Sequence, residues 1–506
     1  MADLNGELTA PLIDSEVAID VNGLLERGTD AALDESPYAF LGAPPLELPP
    51  MSPIDPFRNQ IPSISGMYEW CKTVLCLPIA AARLVLFGIA IAVGYVATLV
   101  ALYGWNDKQN PMPRWRCRAM WLTRLCARLI LFSFGYQWIK RKGRPAPREI
   151  APIVVCNHIS YIEPIFFFYE LIPTMVASES HDSLPFVGTI VRAMQVIYVD
   201  RFSPQSRKLA IHEIKRKASS NDFPRVMLFP EGTTTNGRFL ISFRLGAFLP
   251  GLPLQPVVVR YPYVHFDQSW GNVNLLKLMF RMFTQFHNFM EVEYLPVIFP
   301  DESKQQNITK FSDRTSNAMS RALNVLQTTH SFGDMILFSR ASELGKERCS
   351  NYMVEMGWVE NSFNISTSEA VVLLDKFLAM DPDSNGRVQI YGFLKAYGLC
   401  LNPLGEKIFG YLDTDKKGSI TFRQFLTGSA LIRKQPSFWR ACETAFAKCC
   451  ENSTDCISTE QLHQLFDTTA DGVIRKDEFM ECLQKNPLLI ALFSTHLKTD
   501  DQSEIA

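Results

Sequence analysis

Ile153-Val154-Val155-Cys156-Asn157-His158-Ile159-Ser160-Tyr161-Ile162-Glu163 runs from an unbroken apolar tetrad through a polar junction into a second apolar segment. Such a short apolar run reads as a strand. Similar short runs follow at Gln195–Val199, Val226–Phe229 and Leu254–Val259. Between them, Ser206–Ser219 sets Leu209, Ile211 and Ile214 among cationic residues, the pattern of a surface helix. Strands alternating with helices predict an α/β domain on a mainly parallel sheet. A further strand at Val292–Ile298 and a helix over Phe311–Leu326 close it near residue 330.

Such a sheet places chemistry at the carboxyl ends of its strands. His158 and Glu163 stand there, five residues apart and therefore about 140° out of phase on a regular helix. They can meet if His158 lies in the loop and Glu163 in the first turn of the helix that follows. A carboxylate on one imidazole nitrogen would steady the ring and leave the other nitrogen to take a proton from a hydroxyl. A second strand end carries Phe229-Pro230-Glu231-Gly232-Thr233-Thr234-Thr235-Asn236, where a small residue and three hydroxyls allow close approach of a polar ligand. A third carries Val199-Asp200-Arg201, a guanidinium suited to phosphate. His158 and Glu163 are the expected catalytic pair, and Asn157, Arg201, Glu231, Gly232 and Thr233 the expected substrate-binding set. The chain has no G-x-S-x-G elbow, which argues against a serine hydrolase.

Taken together these blocks resemble the glycerophospholipid acyltransferase family. Its histidine-x4-acid box, arginine block, Pro-Glu-Gly block and late Val-Pro-Val-like block correspond in order to His158 with Glu163, Ile197–Arg201, Phe229–Thr233, and Gln255-Pro256-Val257-Val258. One departure stands out: the family's box ends in Asp, and Glu163 is a methylene longer. The resemblance implies transfer of an acyl group from acyl-CoA to a lysophospholipid hydroxyl, with His158 as base, no acyl-enzyme and no cofactor required for the chemistry. ASESHDSLPFVGTI, LFPEGTTTNG and HFDQSWGN carry a narrower resemblance, to the lysophosphatidylcholine acyltransferase branch and its plant lysophosphatidylethanolamine acyltransferases with EF-hands. That branch favours lysophosphatidylethanolamine, with lysophosphatidylcholine, lysophosphatidylserine or lysophosphatidate as further acceptors. It also implies the endoplasmic reticulum membrane, with Golgi or endosomal membranes as alternatives.

The flanking regions divide the chain further. Residues 1–66 form an acidic, proline-rich tail expected to stay mobile, the first 60 holding eleven acids against Arg27 and Arg58. Residues 67–104 contain a nearly continuous apolar stretch, Val74–Tyr103, interrupted by Pro78 and Arg83; its uncharged part, Leu84–Tyr103, is long enough to cross a bilayer as a single span or a Pro78-bent hairpin. Residues 105–150 mix Arg114, Arg116, Arg118, Arg124, Arg128 and Lys140–Lys142 with Trp115, Trp121, Phe132, Phe134 and Trp138, a combination suited to anionic headgroups rather than to nucleic acid. That charge places the catalytic domain, residues 151–345, on the cytosolic side. Twelve cysteines without metal or disulfide spacing agree with reduced thiols.

Residues 346–490 read as an all-α, degenerate EF-hand-like module of helices around Asp/Asn/Gly loops, before a tail at 491–506. Asp381, Asp383 and Asn385 begin one calcium-type loop, but its twelfth position is Gly392. Asp413 and Asp415 begin a second, with Gln424 at its twelfth position. A third, from Cys450, keeps almost no ligands. Asp467, Asp471 and Glu478 belong to a fourth, whose 17-residue offset from the third leaves little room for helices. These degenerate loops make calcium an optional, weak ligand and leave one rival reading, a membrane-docked calcium sensor or scaffold that has lost turnover.

Overall fold

The computed structural model describes residues 54–105, 110–179, 187–201, 203–301, 307–397, 401, 403–435, 437–449, 456–458 and 473–493. The chain divides into two compact units, one spanning Ser52–Met335 with Glu355–Gly357, the other including Ile336–Val354 and Trp358–Ala506.

The first unit opens with helices α1 (Met67–Leu75), α2 (Leu77–Leu102) and α3 (Arg114–Ser133). After them come β1 (Ile139–Lys142), β2 (Ile153–Cys156), α4 (Ile162–Leu171), β3 (Thr174–Ser178), α5 (Val187–Ala193), β4 (Ile197–Val199), α6 (Pro204–Ser219) and β5 (Val226–Leu228). The unit continues through the short β6 (Phe239–Leu240), β7 (Leu254–Arg260), α7 (Leu275–Phe283), β8 (Met290–Tyr294) and α8 (Asn307–Leu323). Seven strands form one sheet in the order β1-β8-β7-β2-β5-β3-β4. Every pairing is parallel except that of β7 with β8.

The central strand shows why this sequence builds a three-layer domain. All four residues of β2 are buried, and alternate residues face opposite layers. Val154 and Cys156 join the cluster holding Ile162, Phe166 and Phe167 of α4 and Met282 of α7. Ile153 and Val155 join Ala210 and Ile214 of α6 and Phe311 and Met319 of α8. Each large apolar side chain buried this way contributes about 1.5–3 kcal/mol.

Two strands lay outside the sequence expectation. β1 exposes three of its four residues, since Ile139-Lys140-Arg141-Lys142 is an edge strand held by charge. Lys140 and Lys142 pair with Glu291 and Glu293 of neighbouring β8 at 2.9 and 2.6 Å. The sheet therefore begins within the segment read as purely interfacial. β3 was hidden by its proximity to the apolar helix before it. The Gln195–Val199 strand is shortened to β4 because Gln195 adopts a positive φ of 54° and turns the chain. The last strand starts earlier than expected, at Met290, and Ile298 instead makes an isolated bridge to Leu254.

The membrane and tail expectations also change. α2 is one 26-residue helix with Pro78 in its first turn, where a missing N–H costs nothing, so Pro78 does not bend a hairpin. Its mean hydropathy of 2.5 and its length suit a membrane crossing. Arg83 does not interrupt the helix. Its guanidinium is buried and donates to the carbonyls of Phe283, Gln285 and Phe286 just past α7. α2 packs on α3 through small residues: a Cβ on Gly94 would lie 3.1 Å from Cys126 Cβ, and the Thr98 and Thr123 hydroxyls meet at 3.1 Å.

Three of the arginines assigned to headgroups have internal work instead. Arg116 donates to Ala101 and Tyr103 at the end of α2, Arg124 to Tyr169 and Glu170 at the end of α4, and Arg128 to Tyr136 and Gln137. The last carbonyls of a helix lack intrahelical donors and carry partial negative charge, so a guanidinium satisfies both needs. Nor does the expected loose tail reach residue 66. Phe57 is fully buried, and Asn236 bonds to the carbonyls of Asp55, Pro56 and Arg58.

In the second unit, Thr367–Ala379 and Ile390–Ala396 flank one loop, Pro403–Leu412 and Phe422–Lys434 the next. Antiparallel strands at Arg387–Gln389 and Ser419–Thr421 join the two loops. These strands, and the pair Cys456–Ser458 with Val473–Arg475, correct the expectation of an entirely helical region.

Candidate active site

The strand β2 ends at Cys156, and the next two residues are fixed by the strands on either side. Asn157 donates from Nδ2 to the Val259 carbonyl at 3.0 Å and accepts from the Val259 amide at 2.8 Å. Its amide thus continues the ladder to β7 where the main chain has turned away. With both ends used and only 2% exposure, Asn157 shapes the loop from within.

His158 follows in that loop. Its Nδ1 lies 3.1 Å from Glu163 Oε2, and Glu163 sits in the first turn of α4, as the phase argument requires. The Glu163 carboxylate is wholly buried yet well supplied with donors: Oε1 accepts from the amides of Ile159 and Ser160 at 3.3 and 3.0 Å, and Oε2 from Ser160 at 2.9 Å. These bonds compensate desolvation and fix the longer side chain. Phe229 stacks on the imidazole, with centroids 4.1 Å apart and an interplanar angle of 19°. The His158 side chain keeps 18% exposure, so the ring, with Phe229 on one face and Glu163 at Nδ1, still meets solvent.

The Pro-Glu-Gly turn is bonded to the histidine loop. Glu231 Oε1 accepts from the His158 amide at 2.9 Å, and the Thr235 amide donates to the His158 carbonyl at 2.8 Å. Glu231 is completely buried. Burial pushes its carboxyl up to about 8, against the lowering effect of the His158 and Ile241 amides and the Thr235 hydroxyl. Glu231 is thus placed to hold backbone, not to meet solvent. Gly232 has φ +75°, a conformation that disfavours side chains, and an added Cβ would lie 3.5 Å from Arg244 and 3.6 Å from Phe332. Thr233 is half-buried on the same turn.

Arg201 reaches this turn from the β4 end by way of Phe332. Its guanidinium lies 4.9 Å from the Phe332 ring centroid, and that of Arg244 lies 5.5 Å from the same ring. Sequence reasoning passed over Arg244 and Phe332, which lie in no motif and become neighbours through the fold. Phe229 stood inside a quoted block without a role. Its position one residue before the Pro-Glu turn, at the end of the strand beside β2, was the available signal.

A raised carboxyl makes a testable demand on stability. The folded Glu231 holds its proton to higher pH than the unfolded chain does, so its contribution is complete below about 4.5, the ordinary glutamate range, and is lost as pH rises through about 8. Thermal unfolding in detergent should show a Tm that falls between pH 6 and 9, and Glu231→Gln should flatten that fall. An identical slope in both proteins would remove Glu231 as its cause.

The calcium expectation fares differently. Among the described residues no three His, Cys, Asp or Glu side chains come together as a metal-holding group. Asp383 Oδ1 accepts from the amides of Asn385 and Arg387, and Asn385 Oδ1 from Arg348. A Cβ at Gly392 would fall 2.7 Å from the Met380 carbonyl, which leaves no room there for the usual carboxylate, and Asp381 gains no such partner. In the next loop Asp413 accepts from the amides of Lys417 and Gly418. Asp415 accepts from Arg387, Lys417 and Gln424. Burial would raise the Asp415 carboxyl, but these donors outweigh it and hold it well below the usual range. Arg387 and Lys417 thus neutralise the Asp415 carboxylate. Asp467 and Asp471 lie outside the described residues, and Glu478 accepts from the Arg475 amide as a helix cap.

Comparison with known proteins gives this arrangement its relatives. A family model described as Acyltransferase matches residues 139–260, which run from the start of β1 to the end of β7. "Lysophospholipid acyltransferase LPEAT2" of Arabidopsis thaliana is 58% identical over 483 residues, covering 91% of this chain and 89% of its own. "Lysophosphatidylcholine acyltransferase" of Drosophila melanogaster is 31% identical over 464 residues, covering 85% and 86%. "Lysophosphatidylcholine acyltransferase 2" of Mus musculus is 29% identical, covering 86% and 78%. With such identity along nearly its whole length, the chain belongs to the lysophospholipid acyltransferases, in the group that includes the lysophosphatidylcholine acyltransferases.

Proposed function

We propose that this chain moves a fatty acyl group from acyl-CoA to the free glycerol hydroxyl of a lysophospholipid, with His158 as general base. The supporting observation is a buried Glu163 on Nδ1 of a ring that remains partly open. With Nδ1 carrying the proton directed at Glu163, Nε2 takes the hydroxyl proton as the alcohol oxygen attacks the thioester carbonyl. The tetrahedral intermediate then expels the CoA thiolate, which receives that proton from the imidazolium. The acyl group passes directly to the acceptor, so no serine or cysteine nucleophile is used and no metal or other cofactor is required.

Arg201 binds the acceptor's phosphate, beside the turn of Gly232 and Thr233. Asn157 and Glu231 act as positioning residues, Asn157 by bonding the Val259 main chain beside the histidine loop and Glu231 by accepting from the His158 amide. Lysophosphatidylethanolamine is the favoured acceptor, ahead of lysophosphatidylcholine, lysophosphatidylserine and lysophosphatidate. α2 anchors the catalytic unit at the cytosolic face of the endoplasmic reticulum membrane, with no part for nucleic acid. Calcium stays outside the chemistry.

Purified protein in nanodiscs, given labelled oleoyl-CoA and the four lysolipids, should form labelled phosphatidylethanolamine fastest. Equal rates on all four would overturn the headgroup preference. No incorporation into any would overturn the proposed reaction.

A further inference from the structure

Behind the histidine and its acid lies a third group. Tyr261 immediately follows β7, the strand whose Val259 is tied at both backbone atoms to Asn157, next to His158. It is 7% exposed and packs in the same apolar cluster as Ile159 and Ile162, which bracket Ser160 and Tyr161 of the box. Its hydroxyl is buried and makes no hydrogen bond of ordinary geometry. Burial first, and then the charge of Glu163, keep the phenol protonated. The neighbouring phenol, Tyr136, contacts the Tyr261 ring at 6.1 Å but spends its own hydroxyl on Gln268 Oε1 at 2.5 Å.

We propose that Tyr261 is a positioning residue of the catalytic site, its O–H directed at Glu163 so that carboxylate, imidazole and phenol act as one chain. A buried phenol is costly without a partner, and an acceptor-only carboxylate is the group best able to supply one. The contact also answers a geometric need. The Ile159 and Ser160 amides hold Glu163 from the loop side, on which the histidine also lies. A donor from the β7 side prevents the longer glutamate from swinging off the imidazole.

The charged and titratable neighbours of Glu163 are His158, Tyr261, Tyr136, Cys156 and the deeper Glu231. Of these, His158 and Tyr261 are the donors left to it, since Tyr136 is engaged elsewhere, Cys156 Sγ points to Asn157 Oδ1 at 3.7 Å, and Glu231 is tied to the His158 amide. Without the phenol, the whole carboxylate charge falls on the imidazole, favours its protonated form and moves the acid side of the rate profile to higher pH.

This inference rests on the general-base reading, and the test separates the two. Tyr261→Phe keeps the ring and removes the donor. It should lower kcat about tenfold, less than the 10²–10⁴-fold expected for losing the base itself, leave both KM values within about twofold, and shift the acid limb of the pH profile upward. In a Glu163→Gln background the same substitution should change kcat less than about twofold, because coupled groups are non-additive. Should Tyr261→Phe fail to fold, 3,5-difluorotyrosine at 261 keeps the shape with a stronger donor and should move the acid limb downward. Equal losses in both backgrounds, or an unmoved acid limb, would overturn the role of Tyr261 while leaving the base intact. Full turnover in His158→Ala would instead remove the reading on which it rests.

Discussion

His158→Ala should reduce acyl transfer by about 10²–10⁴-fold, the range expected for loss of a positioned general base. The effect belongs in kcat. The ring lies against Phe229 and still meets solvent, so its removal leaves Arg201 and the Pro-Glu-Gly turn in place. KM for the lysolipid should therefore change little, as an interaction made in the transition state predicts. Truncation at a partly exposed loop position should also spare the fold, and the variant should melt within a few degrees of the parent. Steady-state CoA release, followed with a thiol reagent at saturating acceptor, measures the loss. A kcat within about threefold of the parent would exclude His158 as base.

Glu163→Ala should be nearly as severe for activity, and it should also destabilise the protein. Glu163 holds the imidazole and accepts from the Ile159 and Ser160 amides in a site with no exposure. Removing it leaves buried donors unpaired at about 1–3 kcal/mol for each group so stranded, on top of the lost orientation. We expect kcat to fall about 10²-fold or more and the Tm to fall by several degrees. Glu163→Gln can still accept from the amides and should recover much of the stability without recovering the rate. If glutamine restored both, the negative charge would have no part in the reaction. If alanine left Tm unchanged, the hydrogen bonds would not be worth what their burial implies.

The parts of this molecule that the sequence disclosed share a physical cause. β2 was legible because four apolar residues bounded by a polar loop have few alternatives to a strand, and the His158–Glu163 pairing followed from placing the histidine in the loop and the acid in the first helical turn. The Pro-Glu-Gly turn was legible because a small residue and three hydroxyls follow directly on an apolar strand. What escaped depended on partners distant in sequence. Ile139-Lys140-Arg141-Lys142 looks like solvated charge until Glu291 and Glu293 arrive on β8 to pair with it. Arg116, Arg124 and Arg128 read as membrane-facing cations, and only the fold brings backbone carbonyls to them. Arg244 and Phe332 belong to no local pattern. The aspartates of the second unit matched a calcium loop by spacing, whereas Arg387, in the neighbouring loop, decides what Asp415 binds.

The central claim is that an imidazole accepts the acceptor's proton, and the pH dependence of kcat/KM for the unmodified protein tests it most directly. A base must be unprotonated to act, so the rate should fall toward acid pH through one ionisation, and the small residual rate of His158→Ala should lack that ionisation. A profile that stays flat across the acid range, or an acid limb that survives unchanged in His158→Ala, would contradict the account.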